Sequence, residues 1–191
     1  MGRTRWIVLV GAAAALAAAV PARAAVTIGP DPLLERSSVI SFASATIFAT
    51  GDLPGVGVTA PIDGVVVRWR VRRGSGPGLL PEDTISLRIL RGTATENEFT
   101  AVETSESHEV PSGATDPEAI HEYPTRMSIA AGDRIGLGTM TSTFPAREEA
   151  GASYLAWKNA LADGESGLFE VGGFENRYVL INADVEPDCD G

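Results

Sequence analysis

The sequence is poor in residue types on which several classes of protein depend. Cys189 is the only cysteine among 191 residues, so no disulfide can form within this sequence. Aromatic residues make up 6% of the chain and there are only two histidines. The 15 basic residues are outnumbered by 25 acidic ones, and the net charge of −10 argues against nucleic acid or anionic lipid as partners.

The first 24 residues have the composition of an export signal. Arg3 and Arg5 form a basic start, and residues 7–20 are apolar. Residues 21–24 read Pro-Ala-Arg-Ala, which supplies a small-x-small cleavage site. The alternative is a membrane anchor, but the apolar run of about 14 residues is shorter than the roughly 20 that span a bilayer. We therefore predict a secretory signal peptide at 1–24 and a secreted or cell-surface protein with no membrane segment after cleavage.

Cleavage after Ala24 leaves a chain that suits one domain. It removes three of the arginines and leaves 12 basic residues against 25 acidic ones. No sign of an internal boundary interrupts residues 25–185, so we predict one domain there, followed by an acidic tail at 186–191.

The clearest periodic pattern lies at residues 63–74, which read Asp-Gly-Val-Val-Val-Arg-Trp-Arg-Val-Arg-Arg-Gly. Val65, Val67, Trp69 and Val71 occupy every second position, and arginines fill positions between them. A period of two is typical of a β-strand with one buried and one wet face. The pattern predicts a strand at 63–73 with Trp69 in the core.

Other short segments have β character and are separated by turns rich in glycine and proline. They are residues 37–48, 84–91, 99–107, 120–129, 134–138, 153–158 and 177–185. Residues 145–151 read as a polar break, and residues 163–173 as loop. About eight or nine strands and no helix predict an all-β fold, specifically a two-sheet antiparallel β-sandwich with a jelly-roll-like arrangement.

Two details of these segments carry structural predictions. Pro124 cannot donate a ladder hydrogen bond, so it predicts an edge position or a bulge. Gly136 and Gly138 share one face of their strand and predict that other groups pack closely against it.

The arginine row is the first candidate site. Arg68, Arg70 and Arg72 share one face of the predicted strand. Their guanidinium groups could bind an anionic ligand such as a uronic acid. The alternative is a solvated face that acidic residues on adjacent strands balance.

Three aromatic residues are candidates for a sugar-stacking platform, namely Trp157, Tyr154 and Tyr178, although burial in the core is the alternative. We take Trp157 and Tyr178, together with the arginine row, as the candidate ligand-binding residues. His108 and His121 match no metal-binding spacing, and no Gly-x-Ser-x-Gly motif is present. We predict no catalytic residues.

The tail carries the most specific chemical pattern. Glu186, Asp188 and Asp190 alternate before a glycine, as oxygen ligands do in a calcium loop. Residues 186–191 resemble the opening of the Asp-rich loops of thrombospondin type 3 repeats. The resemblance implies weak calcium binding, and the alternative is a disordered acidic terminus.

The strand at 63–73, the stretch at 129–137 and the acidic tail together resemble secreted bacterial β-sandwich proteins with jelly-roll-like folds. The resemblance implies a carbohydrate-binding or adhesion module. We therefore expect an exported, non-enzymatic β-sandwich that binds a carbohydrate or a cell-surface partner. The alternatives are a secreted polysaccharide hydrolase or lyase on a jelly-roll scaffold, and a structural surface spacer.

Overall fold

The strands that the sequence pattern predicts are present in the computed structural model. It describes residues 24–31, 34, 37–41, 47–72, 84–109, 119–139, 143–159, 161–171 and 176–188. These residues form strands, turns and bends without a helix, so the all-β prediction is confirmed and none of them belongs to a helix that could cross a membrane. Residues 1–23 of the predicted signal peptide lie outside the described part of the chain, as do Cys189 and Asp190.

The described residues form fifteen strands. These are β1 (Val26–Ile28), β2 (Ser38–Ser41), β3 (Ile47–Thr50), β4 (Gly64–Arg72), β5 (Thr84–Gly92), β6 (Glu98–Thr104), β7 (His108–Glu109), β8 (Ile120–Ile129), β9 (Arg134–Thr139), β10 (Thr143–Glu148), β11 (Tyr154–Trp157), β12 (Ser166–Leu168), β13 (Glu170–Val171), β14 (Arg177–Val179) and β15 (Ile181–Pro187). There are more strands than predicted for two reasons. The predicted strands at 37–48 and 177–185 are each divided into two strands, and short strands occur in segments predicted as loops. The predicted break at 145–151 is wrong, since β10 occupies most of it.

Every pairing between these strands is antiparallel. The four-stranded sheet has the order β1-β15-β4-β8, and the three-stranded sheet has the order β14-β10-β2. The third sheet has eight strands in the order β12-β6-β5-β9-β3-β11-β13, with β7 also paired to β5. The predicted two-sheet arrangement is not confirmed, because hydrogen bonding divides the strands into three sheets.

The largest hydrophobic cluster draws residues from all three sheets. Trp69 of β4 is fully buried in it, as predicted. The predicted alternation fails earlier in the same strand, where Val66 is buried while Val65 and Val67 are only half-buried. A bulge is the reason: between Val66 and Arg68, β4 carries one more residue than β15 does, so the inward-facing set shifts by one position.

A second cluster packs around Trp157, Phe99 and Phe169. Close packing against the β9 glycines is confirmed, because a Cβ added at Gly136 would lie 2.9 Å from a methyl carbon of Leu90.

The prediction for Pro124 is also confirmed. β8 is an edge strand of the four-stranded sheet, and its register with β4 shifts beside Pro124. Proline removes no ladder bond on the open side of an edge strand.

Candidate functional site

A groove of about 820 Å³ runs across the four-stranded sheet on the face opposite Trp69, and we call it the outer groove. It is lined by Thr27, Gly29, Asp31, Arg68, Arg70, Ile120, Glu122, Asn182 and Asp184. All four strands contribute because their outward-facing residues lie next to one another in register: Thr27 lies opposite Asp184, which lies opposite Arg68.

Asp184 is the centre of the polar network in the outer groove. Its Oδ2 accepts hydrogen bonds from Arg68 Nη2 at 2.6 Å and from Arg70 Nη2 at 2.7 Å. Its Oδ1 accepts from Thr27 Oγ1 at 2.9 Å and from Arg70 Nη1 at 3.1 Å. Arg68 Nε also donates to Oδ2, at 2.9 Å. Only 5% of Asp184 is exposed, so these five donors replace the water that the carboxylate lost on burial.

Glu122 on the edge strand holds the same two arginines from the other side. Its Oε2 accepts from Arg70 Nε at 2.8 Å, and its Oε1 accepts from Arg68 Nη1 at 3.4 Å. Asn182 adds an amide oxygen 3.3 Å from Arg70 Nη1. Two guanidinium groups therefore share two carboxylates, and the four formal charges cancel.

The hydrogen bonds fix the protonation of this network. Donation by the Arg70 guanidinium, with smaller contributions from Arg68 and Thr27, holds the pKa of Asp184 far below its ordinary value, although burial opposes the shift. The hydrogen bond to Asp184 in turn raises the pKa of Arg70. Asp184 is therefore ionised at any physiological pH and has no proton to donate as a general acid.

The predicted ligand-binding residues do not meet at one place. Arg68 and Arg70 lie in the outer groove and are balanced by acidic groups on neighbouring strands, as in the second interpretation of the arginine row. Arg72 is only 6% exposed and does not line this groove. Trp157 packs in the second core against the backbone of Gly167.

Tyr178 is fully buried in a third apolar cluster with Leu53 and Leu180. Burial raises the pKa of its hydroxyl. Neither Trp157 nor Tyr178 belongs to the lining of the outer groove.

Two of the predicted calcium ligands, Glu186 and Asp188, do not line the outer groove, and the third, Asp190, lies outside the described residues. Glu186 and Asp188 are exposed. The described residues contain no group of three or more His, Cys, Asp or Glu side chains arranged to hold a metal ion. Calcium binding by the tail stays a prediction.

Sequence reasoning missed Thr27, Glu122, Asn182 and Asp184 as members of the groove. A local signal exists for two of them. Asn182 and Asp184 are polar residues at alternate positions of β15 with apolar residues on either side of each, and they face the same way as each other.

A second groove, of about 390 Å³, lies along β8 between the four-stranded and eight-stranded sheets, and we call it the edge groove. It is lined by Glu103, Thr104, Ser105, Glu106, His108, Pro124, Thr125, Arg126 and Met127. Glu103 of β6 accepts a hydrogen bond from the backbone N–H of Ser128 at 3.1 Å, which ties the two sheets together across the groove.

Stacked rings lie behind the edge groove. The His108 ring is nearly parallel to the Tyr123 ring, with centroids 4.1 Å apart, and Tyr123 lies 4.6 Å from Trp69. His121 lies farther away, 6.4 Å from Tyr123, and is not part of the groove lining. Because Trp69 is anchored in the core, the stack holds the His108 ring in a fixed orientation.

No family model matches this chain, and comparison with curated proteins and solved structures finds no similar protein.

Proposed function

We propose that this protein is an exported, non-enzymatic binding module that holds a neutral carbohydrate in the outer groove. The observation that carries the proposal is the network on the groove floor, where Arg70, Asn182 and Asp184 are held by mutual hydrogen bonds. Guanidinium, amide, carboxylate and hydroxyl groups are the donors and acceptors that sugar hydroxyls pair with. Since these groups are already ordered, a ligand loses little free energy in arranging them.

The charge balance selects the class of carbohydrate. Arg68 and Arg70 are neutralised by Asp184 and Glu122, so the groove presents no net positive charge to a uronic acid polymer. The whole chain is acidic as well, with a net charge of −10, and repels polyanions at long range. A neutral, hydroxyl-rich ligand suits this groove better than an anionic one.

The same network favours binding over hydrolysis. Glycoside hydrolysis requires one carboxylic acid with a raised pKa that protonates the leaving oxygen. The pKa of Asp184 is shifted the opposite way, and Glu122 pairs with both arginines. Asp184 and Glu122 therefore act as hydrogen-bond acceptors.

The jelly-roll-like layering belongs to this proposal too. The four-stranded and eight-stranded sheets both contribute to the largest apolar cluster, and this leaves the other face of the four-stranded sheet available to a ligand. Jelly-roll folds include lectin domains.

A glycan array together with pull-down on neutral and acidic cell-wall polysaccharides tests the proposal. We expect neutral glycans to bind, with an affinity that changes little between low and high salt, and Arg68→Gln to weaken binding by about tenfold or more, as loss of a charged hydrogen bond does. An array that stays blank with and without calcium would overturn the proposal.

Arg91→Gln is the matched control. Arg91 forms a bidentate ion pair with buried Asp133, in which Nε and Nη2 each donate to a carboxylate oxygen at 2.8 Å. It therefore pairs with a carboxylate as the arginines of the groove do. It belongs to the eight-stranded sheet and does not line the outer groove. We expect its substitution to leave glycan binding unchanged, and equal losses in both variants would count against the outer groove.

A further inference from the structure

Strand β8 belongs to both grooves. Ile120 and Glu122 line the outer groove, and the next outward-facing residue, Pro124, lines the edge groove. Pro124 lies directly opposite Arg68 in the ladder between β8 and β4. Residues that face each other in such a ladder have Cα atoms about 4.5–5.5 Å apart, so the two grooves adjoin at this pair.

The outer groove and the edge groove offer different contacts. The outer groove supplies hydrogen-bonding groups, and the described residues that line it include no aromatic one. In the edge groove, the half-buried His108 ring lines the wall and is supported from behind by Tyr123. A flat ring that is held in place provides a stacking surface at little entropic cost.

Polar groups flank the His108 ring. Arg126 is exposed on β8, and Glu106 is exposed across the groove from it. With Glu103, whose carboxylate accepts from the Ser128 N–H, the walls carry one positive and two negative groups, so this groove, like the outer groove, suits a neutral polar ligand better than an anionic one.

We infer that the two grooves form one path for a carbohydrate chain, which crosses the outer face of the four-stranded sheet, passes over Pro124 and stacks a further sugar ring on His108. This inference rests on the proposed function and specifies its ligand as an extended neutral polysaccharide rather than a single sugar or a chain end. His108 and His121 are 13 positions apart in the sequence, and of the two only His108 lies on the path.

The test is calorimetric titration of the protein with an oligosaccharide ladder, from disaccharide to hexasaccharide, prepared from the strongest-binding neutral polysaccharide of the array. We expect affinity to rise by about tenfold or more along the ladder, because longer chains reach the second groove. His108→Ala should reduce the affinity for the longest chains to that for short ones and should leave the short ones unchanged.

Two further variants separate stacking from general damage. His108→Phe keeps a flat ring and should retain most of the affinity for long chains. His121→Ala removes the other histidine of the stack and should bind the whole ladder as the unaltered protein does.

Three outcomes would overturn the inference. Affinity that is independent of chain length but sensitive to Arg68→Gln would leave the proposed function standing and remove the continuous path. Full long-chain binding by His108→Ala would remove the stacking role. A failure of every neutral glycan to bind would overturn the proposed function and this inference together.

Discussion

Arg70 and Asp184 are 114 residues apart in the chain, yet Arg70 Nη2 lies 2.7 Å from Asp184 Oδ2. The pair joins two neighbouring strands of the four-stranded sheet on the face away from the core. It also connects Glu122 on one side with Thr27 on the other through shared hydrogen bonds. The outer groove is therefore both a candidate binding surface and a contributor to stability.

Asp184→Asn should lower the free energy of unfolding by about 2–3 kcal/mol, because the amide cannot satisfy two guanidinium groups that already lost part of their hydration. Urea denaturation of both proteins at neutral pH measures the difference. Glu122→Gln is the control on the same arginines. Since the Glu122 side chain is 49% exposed, we expect Glu122→Gln to lower the free energy of unfolding by less than about 1 kcal/mol. Equal losses in the two variants would contradict the central role of Asp184.

The depressed pKa of Asp184 predicts how stability depends on pH. In the unfolded chain this carboxyl group takes up a proton near its ordinary pKa of about 3.9, whereas in the folded protein it stays ionised to a lower pH. Its contribution to stability is therefore complete above about pH 5 and is lost as the pH falls through 4 towards the folded pKa. The urea midpoints of the unaltered protein and of Asp184→Asn should differ more at pH 7 than at pH 3. A difference that does not change with pH would contradict the shift.

Gly136→Ala should destabilise the protein by about 1–3 kcal/mol. A Cβ at this position would meet Leu90 at 2.9 Å, Ile47 at 3.2 Å and the Phe48 carbonyl oxygen at 3.3 Å, so the core around β9 must shift to admit it. Gly57→Ala is the matched control, because a Cβ there would meet nothing within 4 Å. Thermal unfolding should show a clear drop in Tm for Gly136→Ala. For Gly57→Ala the free energy of unfolding should change by no more than about 0.5 kcal/mol, so its Tm should stay close to that of the unaltered protein.

Calcium binding by the acidic tail should raise the melting temperature only at millimolar concentrations. Glu186 and Asp188 are exposed, whereas Asp184 is already paired with two arginines and is not free to join them. When the calcium concentration is about ten times the Kd of the site, binding raises the free energy of unfolding by roughly 1.4 kcal/mol, which raises Tm by a few degrees. The combined variant Glu186→Gln, Asp188→Asn and Asp190→Asn should abolish the rise. An unchanged melt of the unaltered protein at millimolar calcium would remove the prediction.

The positions of most strands could be predicted because strand formation leaves a local pattern. The alternation around Trp69 identified β4, and the missing amide hydrogen of Pro124 identified an edge strand. Val65 and Val67 were assigned to the core wrongly, because the bulge beside Val67 arises from register with β15 and has no signature in the sequence of β4 alone.

By itself, the sequence determined that the chain is all-β, that Trp69 is buried and that arginines line one face of a strand, since each of these follows from spacing within a few residues. Only the tertiary structure decided that Asp184 and Glu122 neutralise Arg68 and Arg70, and that His108 stacks on Tyr123. The physical reason is that these contacts depend on which strands become neighbours. That order is fixed by packing and backbone hydrogen bonding across the whole domain, over separations of more than 100 residues in the case of Asp184.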